Sequence, residues 1–508
     1  MRTDWKSLYI VMFFASVPFL FYFTFNPIYN GTPWTKLSAD RSAIQGDNVR
    51  SWGDTFVCTP KEIHRPTTVN DVKNIVLRSE QIRVVGGGHS FSPLVCTKKT
   101  LVSLEKMNKV LEITENSITV EAGATIEQVI THLLNVSNKI IHGFGSIQYQ
   151  SVAGAFSTSH HGLTFHSFSE DVIALTAVLA NGTVIETSDL FYWRSHLGML
   201  GVITSMKIKT YENTVVNIET KKLSLDDAVS RLPFAHAGII ETNYAHREEG
   251  ILKFITIEEP VKESLTYPIN YESFLAAMWD TVLIPLAVLI PSVTEFNTQI
   301  LTQNKTHRAP MVTAWSKFPE YGMLYSAYAI PYANCTKFVR AIQTDNHRVS
   351  TLLIRYVREQ ANSICMTFAA KNSCVVDLYD LQSQSSIHDF HVDVETLVSD
   401  FGGTSHWGKY YAGDVSKQIS NVPCYNDFKT KRDLYDPGNK FLNDYTKEIM
   451  GLNPESEKRY PGKSNEKYVV KSTIMRILTI LSILSIISIT FYRFFLSRPE
   501  YVRIKTSN

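Results

Sequence analysis

The chain is poor in cysteine and has no arrangement of it that would hold a metal. Of 508 residues six are cysteine, at positions 58, 96, 335, 365, 374 and 424, with no Cys-X-X-Cys pair and no cysteine–histidine group at zinc spacing. A zinc site is therefore not expected, and the thiols are expected to be mostly buried or unpaired. One disulfide stays open if the folded part faces an oxidising lumen. Charge of either sign is also scarce: charged residues make up 19%, the formal net charge is +2, and no basic block marks the middle of the chain. Nothing in that balance calls for a nucleic-acid partner. Internal repeats and low-complexity tracts are missing too. So is a strand–Gly-X-Gly-X-X-Gly–helix unit followed some 20 residues later by an acidic residue, which weakens any Rossmann reading.

What is present is a folded composition, 44% hydrophobic, in a chain long enough for two globular domains plus additional segments. Both ends carry apolar runs. Residues 8–25 hold no charge and are followed by Asn26-Pro27 without a small-residue cleavage site. Residues 477–492, which extend to 496 if Arg493 snorkels, form the second run. A buried core helix is the plain alternative for each, but terminal position and the lack of amphipathic alternation favour membrane spans. Arg2 and Lys6 at one end, and Arg498, Arg503 and Lys505 at the other, put both tails on the cytoplasmic side, with 30–470 facing a lumen such as that of the endoplasmic reticulum. Lys463, Lys467 and Lys471 pull the other way, and sequons at Asn30, Asn135, Asn181, Asn304 and Asn334 are compatible with the lumenal reading. The interrupted apolar stretch from Ala276 to Pro291 reads as a buried or membrane-grazing segment.

Between the ends, residues 50–215 alternate short β-rich runs with glycine turns. Ile82–Val85 reads as a strand, Ser117–Glu121 as another and Thr125–Leu134 as a helix, while Val172–Leu179 and Thr183–Thr187 flank an Asn181-Gly182 turn as a hairpin. From about 216 the pattern loosens. Ser224–Leu232, 394–401 and Asn426–Leu434 read as helices and Thr351–Val357 as a strand, with the globular part closing near Lys447. The fold class expected is α+β, with a first domain over 50–215 and a second, covering domain over 216–450.

The chemistry concentrates in two small-residue clusters. The strand into Val85 runs straight into Gly86-Gly87-Gly88-His89-Ser90-Phe91-Ser92-Pro93. Three glycines strip a turn of Cβ atoms, so its N–H groups can approach an anion closely, and His89 is presented rigidly beside it. The second cluster is Gly143-Phe144-Gly145-Ser146 with Ser151 through Gly162, rich in hydroxyls that suit a pyrophosphate without a metal. A tight structural loop is the plain alternative for both.

With these motifs the sequence resembles the aldonolactone oxidoreductases of the vanillyl-alcohol oxidase flavoprotein superfamily. The resemblance runs from Trp52–Pro60 and Arg65-Pro66-Thr67 through Gly86–Pro93, Lys106-Met107-Asn108, Val120–Gly123, Gly145–Gly162 and Leu197–Ile203. It resumes at Phe401–Lys409 and Asp436–Tyr445, with little likeness between about 215 and 345. It implies an FAD-binding domain of that superfamily's type under a substrate cap, and FAD covalently attached at His89. Gly86, Gly87, Gly88, Ser90, Ser157, Thr158, His161 and Ile203 fall where the family contacts FAD. Gly145 falls where a small residue leaves O₂ a path, the oxidase form, although a plain turn glycine is the alternative. His406-Trp407-Gly408-Lys409 resembles the family's HWxK motif. Lys409 and Arg355 are then the cations beside the flavin, and His406 the residue that orients or accepts the hydroxyl proton of a small hydroxylated substrate.

Two departures stand out. Relatives carry Glu-X-Arg where this chain has Leu353-Ile354-Arg355, and Arg-Pro where it has Thr404-Ser405. Loss of a carboxylate removes a strong acceptor for a substrate hydroxyl. The expected activity is oxidation of a sugar 1,4-lactone by O₂ to an ascorbate-type product and hydrogen peroxide. An oxidoreductase of another alcohol or polyol with a different acceptor, and an inactive membrane-anchored flavin binder, are the alternatives.

Overall fold

The computed structural model describes residues 43–452 apart from 52–54, 146, 163, 165–166, 243–247, 261–304, 312–323, 344–350, 381–383 and 414. Both terminal apolar runs, Ala276–Pro291 and the sequons at Asn30 and Asn304 lie outside those residues. Among the described residues no helix is long and apolar enough to cross a membrane.

Residues 62–209 contribute two of the larger sheets. Strands Glu62–His64, Thr100–Ser103 and Ile82–Val85 pair in parallel, with Thr100–Ser103 in the centre. The helix Val69–Arg78 connects the outer two. Thr68 opens it with a capping box, its hydroxyl accepting from the Asp71 N–H while Asp71 accepts from the Thr68 N–H, and Val72, Ile75 and Val76 face the core. A five-stranded antiparallel sheet follows in the order Val184–Thr187, Val172–Val178, Val202–Lys209, Ser117–Glu121, Val110–Ile113. The hairpin turns at Gly182 with φ +80°, a conformation glycine adopts without strain. The helix Ile126–Ser137 packs on this region through Ile126, Val129, Ile130 and Leu133, capped by Thr125 and Gln128.

An antiparallel eight-stranded sheet begins at Thr214. Its order is Lys305–Pro310, Thr214–Ser224, Glu249–Pro260, Ala237–Thr242, Thr351–Val357, Ser373–Asp380, Leu324–Pro331, Thr404–Ser405. Helices Leu225–Arg231, Cys335–Ile342 and Gln384–Asp400 cover one face, sharing an apolar core with Leu352, Ile354, Val376 and Leu378. The alternation of strand residues sends Leu353 and Arg355 to the opposite face.

The stretch after this sheet does not stay in the second layer. Trp407, Phe428, Phe441, Leu442, Tyr445 and Ile449 share one core with Val72, Val120, Ile130 and Val202. Arg83 explains the return. Its side chain is 3% exposed and donates to the carbonyls of Leu94 (2.7 Å), Leu197 (2.8 Å), Gly198 (3.4 Å) and Phe441. Asn443 adds bonds from its amide to the carbonyls of Pro93, Leu94 and Cys96. The end of the chain thus grips the segment that follows the glycine turn.

The cysteines depart from expectation. All six are paired, as Cys58–Cys96, Cys335–Cys374 and Cys365–Cys424, over separations of 38, 39 and 59 residues with Cα–Cα distances of 5.7, 5.7 and 5.4 Å. Near-neighbour spacing, the signal for metal and redox motifs, carries no information about partners that only the fold brings together.

Candidate active site

A cavity of about 370 Å³ opens between the layers, and both small-residue clusters line it. Gly86, Gly87, Gly88, His89 and Ser90 form one wall; Gly145, Ser157, Thr158 and His161 form another; Ile203, Arg355, His406 and Lys409 complete it. Every site residue named from the sequence therefore faces the same space. The clusters also touch. A Cβ built on Gly87 would come within 3.0 Å of the Tyr149 carbonyl and 2.7 Å of His89 Nδ1, and one on Gly86 would strike the Ser151 hydroxyl. The absence of side chains here is a packing requirement.

The distant HWGK segment reaches the site by two ties to the glycine-turn loop. The Phe91 N–H donates to the Gly408 carbonyl at 2.8 Å, and the Ser92 hydroxyl donates to the Trp407 carbonyl at 2.5 Å. From the other side the His406 N–H donates to the Ala327 carbonyl, and Trp407 Nε1 to the Met366 carbonyl at 2.9 Å. Lys409 lays its ammonium 3.3 Å from the Tyr325 ring centroid and 5.6 Å from that of Phe91. Arg355 is 5% exposed and pairs with the fully buried Asp377, while reaching the Tyr325 hydroxyl (3.4 Å) and the Gly162 carbonyl (3.5 Å).

Burial dominates the titration of the imidazoles. It pushes His89 and His160 down to about 3, with Lys409 adding to the effect, and His196 down to about 3 with Arg83 adding. His161 and His406 are likewise held well below the usual histidine range, first by burial and then by the neighbouring charges. All five are neutral near pH 7, and their hydrogen bonds differentiate them. His406 Nδ1 accepts from the Gly408 N–H at 3.0 Å, which puts the ring proton on Nε2. Of the two roles expected for His406, orienting the substrate fits this tautomer, and accepting its proton does not. His160 Nε2 accepts from the Gly145 N–H at 2.7 Å. His161 has both ring nitrogens buried without a partner among the described residues, its centroid 5.3 Å from that of His406.

Three participants had no sequence signal of their own: His196, whose Nε2 lies 3.0 Å from the Ser157 hydroxyl, and Tyr325 and Asp377, both from the second sheet. Leu353, the main departure from the family pattern, is 3% exposed. It packs with Phe91, Ile239 and Tyr325 behind the cavity lining.

A buried carboxyl braces the same loop. Glu395 accepts from the N–H groups of Ala412 (2.7 Å) and Gly413 (2.6 Å), and burial pushes it up to about 8 against those two donors. Its folded pKa exceeds the unfolded value. Its contribution to stability is therefore complete below the ordinary carboxylate range and is lost as pH rises through about 8. Thermal melts should show Tm falling between pH 5 and 9 with a slope that Glu395→Gln flattens; parallel slopes in the two proteins would refute the assignment.

The cavity fits FAD on its own evidence. Glycine walls have no room for a Cβ, and buried polar atoms of His161 and His196 Nδ1 lack protein partners among the described residues. Comparison with known proteins agrees. Residues 60–188 match the FAD binding domain family, and residues 235–449 match the family described as D-arabinono-1,4-lactone oxidase. The chain belongs to the aldonolactone oxidoreductase family. It is an FAD-dependent oxidoreductase. Family members it resembles include an L-gulono-1,4-lactone dehydrogenase of Mycobacterium tuberculosis, 25% identical over 79% of this chain and 98% of that protein. The L-gulonolactone oxidase of Mus musculus is 24% identical over 80% and 99%. Among solved structures a solvent-stable cholesterol oxidase superposes with a TM-score of 0.64 at 13% identity, covering 80% of this chain and 97% of that one, a likeness of fold.

Proposed function

We propose that this family member oxidises a ring carbinol of a sugar 1,4-lactone, with O₂ as acceptor, to an ascorbate-type product and hydrogen peroxide. The observation that carries the reading is the convergence of His406, Lys409, Arg355, His161 and Gly145 on one cavity with the His89 turn. FAD, when bound, supplies the hydride acceptor. Around it the protein does the rest. His406, protonated at Nε2, orients the substrate oxygen, and His161, whose ring nitrogens have no partner among the described residues, takes the hydroxyl proton on its unprotonated nitrogen. Arg355 and Lys409 place positive charge where negative charge develops. His89 is the attachment point for the cofactor.

The acceptor is the point at which a second reading stays alive, since one similar protein is named a dehydrogenase and another an oxidase. Turnover of lactone, alditol and apolar alcohol panels in air, scored by peroxide, is compared with turnover under argon with a dye. Lactone-dependent peroxide supports the proposal; dye-only turnover replaces O₂ with another acceptor. Flavin fluorescence that stays with acid-precipitated protein, and is released in His89→Ala, tests the attachment.

We further propose that the runs at 8–25 and 477–496 anchor the chain in a membrane and that the folded part is lumenal. Three disulfides and exposed sequons at Asn135 and Asn181 support an oxidising, glycosylating compartment. A glycosidase-sensitive mass shift, reduced in each of Asn135→Gln and Asn181→Gln, is the expected result; no shift in the wild type would overturn the lumenal placement.

A further inference from the structure

We propose that Asp377 is a positioning residue for the active site, supplying from the next strand the carboxylate that position 353 lacks and aiming Arg355 into the cavity. The inference rests on the reading above that Arg355 serves the cofactor, and it assigns the group that makes this possible.

Strands Thr351–Val357 and Ser373–Asp380 run antiparallel with Leu353 opposite Asp377 and Arg355 opposite Val375. Paired residues share a face, so Leu353, Arg355 and Asp377 all project to the side of the sheet away from its covering helices. From position 355, positions 353 and 377 are near-equivalent neighbours, one two residues back on its own strand and one diagonally across. Both lie within reach of a long side chain. A carboxylate on either can hold the same guanidinium. In this chain the leucine stands at one and the aspartate at the other.

The pairing is not incidental. Asp377 is fully buried and Arg355 nearly so, and an arginine that donates to a carboxylate is fixed in direction as well as charge. Asp377 Oδ2 takes the Arg355 Nη2 donor, while Oδ1 has no partner among the described residues. Asp377 itself does not line the cavity; Arg355 does. Asp377 therefore acts through Arg355. Leu353, packed with Ile239 and Tyr325, keeps water from the pair.

The test uses the flavin-loaded full chain in four forms: wild type, Arg355→Ala, Asp377→Asn, and Asp377→Asn combined with Leu353→Glu. The readouts are the midpoint potential of the bound flavin and kcat and KM taken separately. Arg355→Ala and Asp377→Asn should both lower kcat by about 10–100-fold, the scale of a misplaced charge, with KM changing less, while the potential falls in Arg355→Ala, which removes a cation, and rises in Asp377→Asn, which removes the anion that compensates it. Adding Leu353→Glu should restore most of both. Asp377→Asn matching wild type while Arg355→Ala is impaired overturns the proposal. So does a double variant that stays as impaired as Asp377→Asn. Should Asp377→Asn fail to fold, a folded double variant with near-wild-type potential supports the proposal and an unfolded one overturns it. An Arg355→Ala enzyme with unchanged potential and kcat would instead remove the assumed role of Arg355, and so is told apart from failure at Asp377.

Discussion

Replacing Lys409 with alanine is expected to lower kcat/KM by about 10²–10³-fold while leaving the protein folded and yellow. That is the scale of losing one charge or donor aimed at developing negative charge in a water-poor site. The side chain lines the cavity, and aromatic faces of Tyr325 and Phe91 hold its ammonium, so the charge is directed by packing that survives its removal. Its field also reaches the imidazoles: after burial, Lys409 helps hold down His89, His160, His161 and His406. Removing it should let those rings protonate at somewhat higher pH, with burial still keeping most of them neutral. The checks are the rate of flavin reduction in a single turnover and the midpoint potential, which should fall. Partial recovery in Lys409→Arg would identify charge as the lost property. A Lys409→Ala enzyme reduced at the wild-type rate would remove Lys409 from the proposed machinery.

How far the sequence could go is clearest at the elements of this site. The glycine turn was legible because Gly86–Gly88 follow an apolar strand, a pattern whose local backbone consequence needs no tertiary partner. The hairpin at Asn181-Gly182 and the strand Thr351–Val357 were legible for similar reasons, turn chemistry in one and β-branched patterning in the other. The helices read at Thr125–Leu134, Ser224–Leu232 and Asn426–Leu434 were recovered with ends displaced by a few residues, but of Gln384–Asp400 only the apolar second half stood out, and Val69–Arg78 and Cys335–Ile342 were not read at all. Three disulfides, the Arg355–Asp377 pair and the Glu395 brace lay outside its reach. Each joins residues whose proximity is created by strand register or chain return, and none leaves a periodic trace. The same holds for the C-terminal stretch: Phe441 and Tyr445 are simply apolar in sequence, and only the buried Arg83 and Asn443 bonds show why they pack with the first domain.

Converting Gly145 to alanine should cut oxygen-dependent turnover by about 10²-fold while sparing turnover with a dye. The resemblance reads this glycine as an open path for O₂, and the structure adds a reason why a single methyl would matter. The Gly145 N–H donates to His160 Nε2 at 2.7 Å, and a Cβ at this position would lie 2.7 Å from the same ring. The methyl cannot enter with the imidazole in place, so His160 must swing away and lose its bond. Its ring then moves into the cavity that it and Gly145 both line. A displacement of this size near reacting atoms costs on the order of 10²-fold. Because His160 is neutral, the displaced ring carries no new charge, and the effect is one of space. Adding His160→Ala to Gly145→Ala should therefore recover much of the oxygen reactivity. Equal losses with oxygen and dye would mean that the substitution damages the whole site. A Gly145→Ala enzyme with unchanged peroxide production would show that oxygen does not approach past this residue.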